Sequence, residues 1–116
     1  MEQKITLPWP PSVNSYLAIV GRRKVKTKKA RDYCREVNFT LIDQRVASFG
    51  EQRIKIEIKA YPPDNRRRDL DNILKATFDS LTTAGVYQDD SQVDFLSVER
   101  MEKVSGGKME LRISAL

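Results

Sequence analysis

The segment from Arg53 to Tyr61 alternates charge and hydrocarbon almost without error. Ile54, Ile56, Ile58 and Ala60 fall on one side; Arg53, Lys55, Glu57 and Lys59 fall on the other. Side chains along a β-strand alternate faces with a period of two, so this segment is predicted to be a strand with one dry face. Pro62 and Pro63 follow and end the pairing, because proline has no N–H to give to a ladder. Such a strand needs partners beside it and an apolar layer over it. The rest of the 116-residue chain must supply both.

Two helices are predicted for that layer. Thr27 is a good N-cap, and Ala30, Tyr33, Cys34, Val37, Leu41 and Ile42 recur behind it at helical spacing, to about Ala47, with Gly50 as the stop. A second helix is expected to start near Asp69 to Asp71 and run to about Ala84. Its stripe is Leu70, Ile73, Leu74, Phe78 and Leu81, and Gly85 stops it. Further strands are read at Lys4 to Leu7, at Val93 to Met101, and at the end of the chain, where Met109, Leu111 and Ile113 alternate with Glu110, Arg112 and Ser114. Ser105-Gly106-Gly107 reads as a hairpin turn between the last two strands. The stretch from the prolines at 8, 10 and 11 to about Lys26 reads as polar and flexible. The expectation is an α/β fold of the mixed (α+β) kind, a single domain over 1–116. Its order is β-α-β-α-β-β, one mixed sheet with helices packed on it.

Composition removes whole classes of chemistry. There is no histidine, and Cys34 is the only cysteine. A histidine base, a histidine nucleophile, an intrachain disulfide and a structural zinc site are therefore excluded or very poorly provided for. A metal bound here is expected to be a hard ion held by oxygen. The 21 Lys and Arg outnumber the 16 Asp and Glu, for a net charge of +5. A small basic domain suits a polyanion, since each phosphate it neutralises releases counterions. The opening MEQKITLPWPP has no apolar leader, and no stretch approaches the roughly 18 apolar residues that span a bilayer. The expectation is a cytoplasmic protein with no membrane partner.

Against the basic background, the carboxylates gather. Asp69 and Asp71 are two apart at a junction into a helix, directly after Arg66, Arg67 and Arg68; Asp89 and Asp90 precede the next strand. In a sheet of the expected order these pairs can meet at one end of the fold. Clustered carboxylates repel one another unless a cation neutralises them, and Mg²⁺ takes one or two of them together with water and phosphate. Such an ion activates water and offsets charge on phosphate oxygens, which suffices for phosphodiester hydrolysis without histidine. Lys75, a turn after Asp71, is placed to meet the scissile phosphate or orient the attacking water. Arg66, Arg67 and Arg68, with Arg22, Arg23, Lys24 and Lys26, are the candidate phosphate contacts. Each feature also has an ordinary explanation. Asp69 or Asp71 can cap the helix, Lys75 can pair with Asp71 or Asp79, and Asp89-Asp90 can be turn residues. The basic runs can be solvated loops.

The motifs together resemble the RusA family of Holliday junction resolvases. The matching residues are Leu7-Pro8-Trp9-Pro10-Pro11-Ser12 with Asn14, the run Arg66 to Asn72 with Lys75, Asp89-Asp90 before Gln92-Val93, and the glycines at 106 and 107. The resemblance covers essentially the whole chain. It implies a homodimer that binds four-way DNA junctions and makes paired symmetric nicks with Mg²⁺ or Mn²⁺, without a small-molecule cofactor. It further implies a role in DNA recombination and repair and, commonly, a prophage origin. Carried over, the essential acids are Asp69, Asp71 and Asp90, the active-site lysine is Lys75, and Asp89 and Arg68 support them. Val13 departs from the family, where a polar residue, often Asn, is expected. Two other classes remain open: a non-catalytic structure-selective nucleic-acid-binding protein, and a flap or single-strand nuclease with the same site.

Overall fold

A computed structural model describes residues 1–116. The strands are β1 (Glu2–Pro8), β2 (Leu17–Val20), β3 (Arg23–Lys26), β4 (Ile54–Tyr61), β5 (Val93–Arg100) and β6 (Lys108–Ala115). The helices are α1 (Lys28–Asp43) and α2 (Leu74–Thr83). The main sheet has the order β1-β6-β4-β5; β5 runs parallel to β4, and the β1–β6 and β6–β4 pairs are antiparallel. A parallel pair needs a long crossover, which α2 provides between β4 and β5. The result is a single α+β domain with a mixed sheet and two helices, as expected.

The register explains the core. Ile58 lies opposite Leu111, Ala60 opposite Met109, Ile5 opposite Leu111, and Leu7 opposite Met109. These residues form one continuous buried face, against which Val37 and Leu41 of α1 and Ala76 and Leu81 of α2 pack. The Thr27 side chain accepts from the Ala30 N–H at 3.1 Å, so the predicted cap is in place. Ile42, expected on the buried stripe, is instead exposed.

Four expectations are corrected. The stretch read as flexible forms a two-stranded antiparallel ribbon, β2 with β3, closed by Gly21 at φ 64°. The lysines and arginines of β3 hid the alternation, because an isolated ribbon has no dry face to reveal. Helix α1 ends at Asp43, not near Ala47. Val46 N–H reaches Leu41 O and Arg45 N–H reaches Ile42 O, both at 3.1 Å, with Arg45 at φ 55°. That is a Schellman stop built on arginine rather than glycine. The helical segment near Asp69 begins as a 3-10 turn, Leu70–Ile73, and the α-helix starts only at Leu74. Finally, Ser105 to Gly107 is not a hairpin turn. Strands β5 and β6 do not pair, because β4 lies between them. The chain instead crosses the end of β4, with Met101 N–H on Ala60 O at 2.8 Å and Val104 N–H on Pro62 O at 2.9 Å. Gly107 has φ 70°, and a Cβ there would sit 3.0 Å from side-chain atoms of both Trp9 and Pro63. No helix of the protein is long and apolar enough to cross a membrane.

Candidate active site

Helix α2 organises the candidate residues. Asp69 stands at the cap position of the 3-10 turn without a side-chain cap, and Asp71 lies in that turn. Both are exposed, as is Lys75 in the first turn of α2. Lys75, Asp79 and Thr83 follow at four-residue spacing in α2 and so lie along one stripe, with Asp71 in the 3-10 turn just before it. Asp90 lies beyond the helix, in the turn Asp90–Gln92, and reaches back to Thr82 in the last turn of α2. Its Oδ1 accepts from Thr82 Oγ1 at 2.7 Å and from the Tyr87 hydroxyl at 3.4 Å. Asp89 caps the turn Asp90–Gln92, accepting from Ser91 N–H at 2.9 Å, and the buried Gln92 side chain completes a capping box. Asp89 thus has the structural job that was its ordinary explanation.

These placements spread the acids out. Thr82, which holds Asp90, is roughly 16 Å along a helix axis from Asp71. Within the single chain no three carboxylates come close enough to share a cation. The expected meeting of Asp69 and Asp71 with Asp90 at one point is therefore not seen. The reason is that Asp90 reaches back to the last turn of α2, while Asp69 and Asp71 precede its first.

The arginine triplet lines a cleft of about 440 Å³ with Trp9, Asp64, Asp69 and Arg100. Its members are not equivalent. Arg68 Nη1 is 2.7 Å from Asp64 Oδ1, and the guanidinium lies 5.7 Å from the Trp9 ring centroid. Arg66 approaches the same carboxylate at 3.8 Å and gives it a backbone N–H at 2.9 Å. The hydrogen bond from Arg68, then that from the Arg66 N–H, lower the Asp64 carboxyl to about 2. Arg67 is exposed, with no acidic partner. Arg100 donates to the Arg68 carbonyl and closes the cleft from β5. Sequence reasoning missed Asp64 and Arg100. No local signal marks Arg100, since its role depends on which strand lies beside β4.

One turn further along α2 than Lys75, Asp79 is held from outside the helix: Lys26 Nζ lies 2.7 Å from its Oδ2, and the buried Tyr16 hydroxyl donates to the same oxygen. The hydrogen bond to Asp79 raises Lys26. Burial alone would raise Asp79. Hydrogen bonds from Lys26 and Tyr16, with the charges of Lys26 and Lys75, overcome it and hold the carboxyl below its usual value. Lys26, a candidate phosphate contact, is therefore already paired. Arg22, Arg23 and Lys24 are exposed at the end of the ribbon.

The family model for endodeoxyribonuclease RusA matches residues 8–114, which contain every candidate residue above. The chain belongs to the RusA endodeoxyribonuclease family. RusA relatives match nearly its whole length. It is 39% identical over 115 residues to a crossover junction endodeoxyribonuclease of Enterobacteria phage HK97, covering 99% of this chain and 96% of the relative. It is 41% identical over 113 residues to that of Escherichia coli strain K12, covering 97% and 93%. A third RusA relative, from Enterobacteria phage 82, is 40% identical over 116 residues, again covering 97% and 93%.

Proposed function

We propose that this protein is a Mg²⁺-dependent endodeoxyribonuclease that resolves four-way DNA junctions by paired, symmetric phosphodiester hydrolysis. The observation that carries this reading is a RusA-family match that runs through the exposed Asp69, Asp71 and Lys75, beside a cleft lined by Arg66, Arg67 and Arg68.

The donor chemistry fits a hard divalent ion. Asp69 and Asp71 are exposed carboxylates with no imidazole anywhere in the chain, and one or two carboxylates with water and phosphate satisfy Mg²⁺; Mn²⁺ takes the same ligands. Bound there, the cation supplies an activated water and charge to offset that developing on the phosphate. The rest is done by the protein. Lys75, in the first turn of α2 directly after the turn that carries Asp71, holds an ammonium for a phosphate oxygen. Arg67 adds a contact that positions the backbone. Asp90 belongs to the proposed acidic set, although in the single chain it is held by Thr82 and Tyr87.

Two symmetric nicks need two copies, so a homodimer is part of the proposal. The β5 edge supports it. This strand pairs only with β4, and Phe95 and Leu96 are exposed on its two faces. An open edge of this kind is available to a second copy by an isologous two-fold contact. The proposed setting is the cytoplasm, in DNA recombination and repair, and the phage relatives favour a prophage origin.

The test is cleavage of a labelled four-way junction, with linear duplex and flap controls, in Mg²⁺, Mn²⁺ and EDTA. Paired nicks on the junction alone, dependent on the cation, are expected. Asp71→Asn should keep junction binding and lose the nicks. Binding without nicks in either ion would leave a binding protein, and equal cleavage of flaps would leave a general nuclease.

A further inference from the structure

The β2–β3 ribbon carries an unusual tip. Ile19 and Val20 are 75% and 62% exposed, directly before the turn, where short polar residues are the norm. The register sets Ile19 opposite Lys24 and Val20 opposite Arg23, so each face of the ribbon pairs one hydrocarbon side chain with one cation. Arg22 adds a third charge in the turn. The tip packs on no core, since every residue from 19 to 24 is exposed.

The root, by contrast, is firmly held. Lys26 is bound to Asp79 at 2.7 Å, Thr27 Oγ1 donates to Ser15 O at 2.7 Å, and Thr27 N–H reaches Tyr16 O at 3.0 Å. Asp79 is one turn after Lys75 on the same stripe of α2, roughly 6 Å along the axis. The ribbon therefore rises from the helix face that carries Lys75, and its tip reaches roughly 10 Å beyond the root.

We infer that Ile19 and Val20 form an apolar wedge that enters a base step at the branch point of the DNA, while Arg22, Arg23 and Lys24 bind the flanking phosphates. This rests on the junction reading proposed above. Proteins that bend DNA insert aliphatic side chains between bases and unstack them, and unstacking is cheapest where pairing is already interrupted. Hydrocarbon flanked by cations matches a polyanion with an apolar stack inside it. The ribbon geometry adds a role for the Lys26–Asp79 pair: it fixes the wedge relative to Lys75.

The experiment uses the full chain and a four-way junction with a fluorescent adenine analogue at the branch point, bound in EDTA. The wild-type protein should raise the fluorescence as the base unstacks. Ile19→Thr with Val20→Thr keeps the β-branched shape but removes the apolar surface. This variant should lose the fluorescence rise and about tenfold of the preference for junction over duplex. Its dependence on salt should not change. Replacing Arg22, Arg23 and Lys24 by alanine should weaken binding to both substrates and flatten the salt slope, with the fluorescence rise intact at saturating protein. If the wild type binds and nicks the junction without any fluorescence change, or if the threonine variant keeps both signal and preference, the wedge is refuted and the nuclease stands. If the wild type neither prefers nor nicks the junction, the nuclease reading fails and the wedge with it. A fall in solution mass in the threonine variant would assign the pair to a contact between two copies instead, and would also overturn the proposal.

Discussion

Asp79→Asn tests the contact that ties the ribbon to the body. The substitution keeps the shape of the side chain but removes the charge that accepts from both Lys26 and Tyr16. Breaking a fully buried ion pair costs about 3–5 kcal/mol, and each hydrogen bond to a charged group is worth about 1.5–3 kcal/mol. The pair here is only partly buried, with side-chain exposures of 36% for Lys26 and 22% for Asp79. Solvent screens it accordingly, which brings the expected loss to about 2–3 kcal/mol. In a domain of this size that lowers Tm by roughly 10 °C, read by circular dichroism at pH 7. The pH dependence has a definite sign. The folded carboxyl is held below its usual value, so its stabilisation is present above the unfolded value near pH 4 and is lost as pH falls through the folded one. The wild-type advantage over Asp79→Asn should therefore shrink in acid below about pH 4 and, because the same contact raises Lys26, again in alkali as the ammonium deprotonates. A double-mutant cycle with Lys26→Met isolates the pair. A Tm for Asp79→Asn within about 2 °C of wild type, or a coupling near zero, would refute the reasoning.

Lys75→Ala should lower the rate of junction cleavage by about a hundredfold while changing junction affinity much less; equal losses would make Lys75 a binding residue only. Arg67→Ala should lower the salt slope of binding by about one with little change in Tm, whereas Arg68→Ala should lower Tm as well, because it takes from Asp64 its closest cation and uncovers Trp9. Parallel salt titrations and melts on the two variants decide this. The two helix stops make a matched pair. Gly85 at φ 82° accepts alanine badly, so Gly85→Ala should destabilise by about 1 kcal/mol, while Arg45→Gly, at φ 55°, should stabilise by a similar amount, both by urea unfolding.

The sequence alone determined whatever depends on a local period or a local cap. The alternation at 53–61 became β4, Thr27 became the cap of α1, and Gly85 became the stop of α2. The absence of histidine and the acidic and basic runs marked the residues to watch. Each of these is settled within one or two turns of chain, by sterics and hydrogen bonds that neighbours supply. Tertiary structure decided the rest. Whether the glycines at 106 and 107 close a hairpin depended on β4 lying between β5 and β6, which no local pattern encodes. Whether Lys26 was free depended on Asp79, half the chain away. Whether Asp90 joined Asp71 depended on which turn of α2 it reached, and it reached Thr82. Which side chains meet is a property of strand order and helix placement, because those are chosen by burying all the apolar faces at once rather than by any one segment.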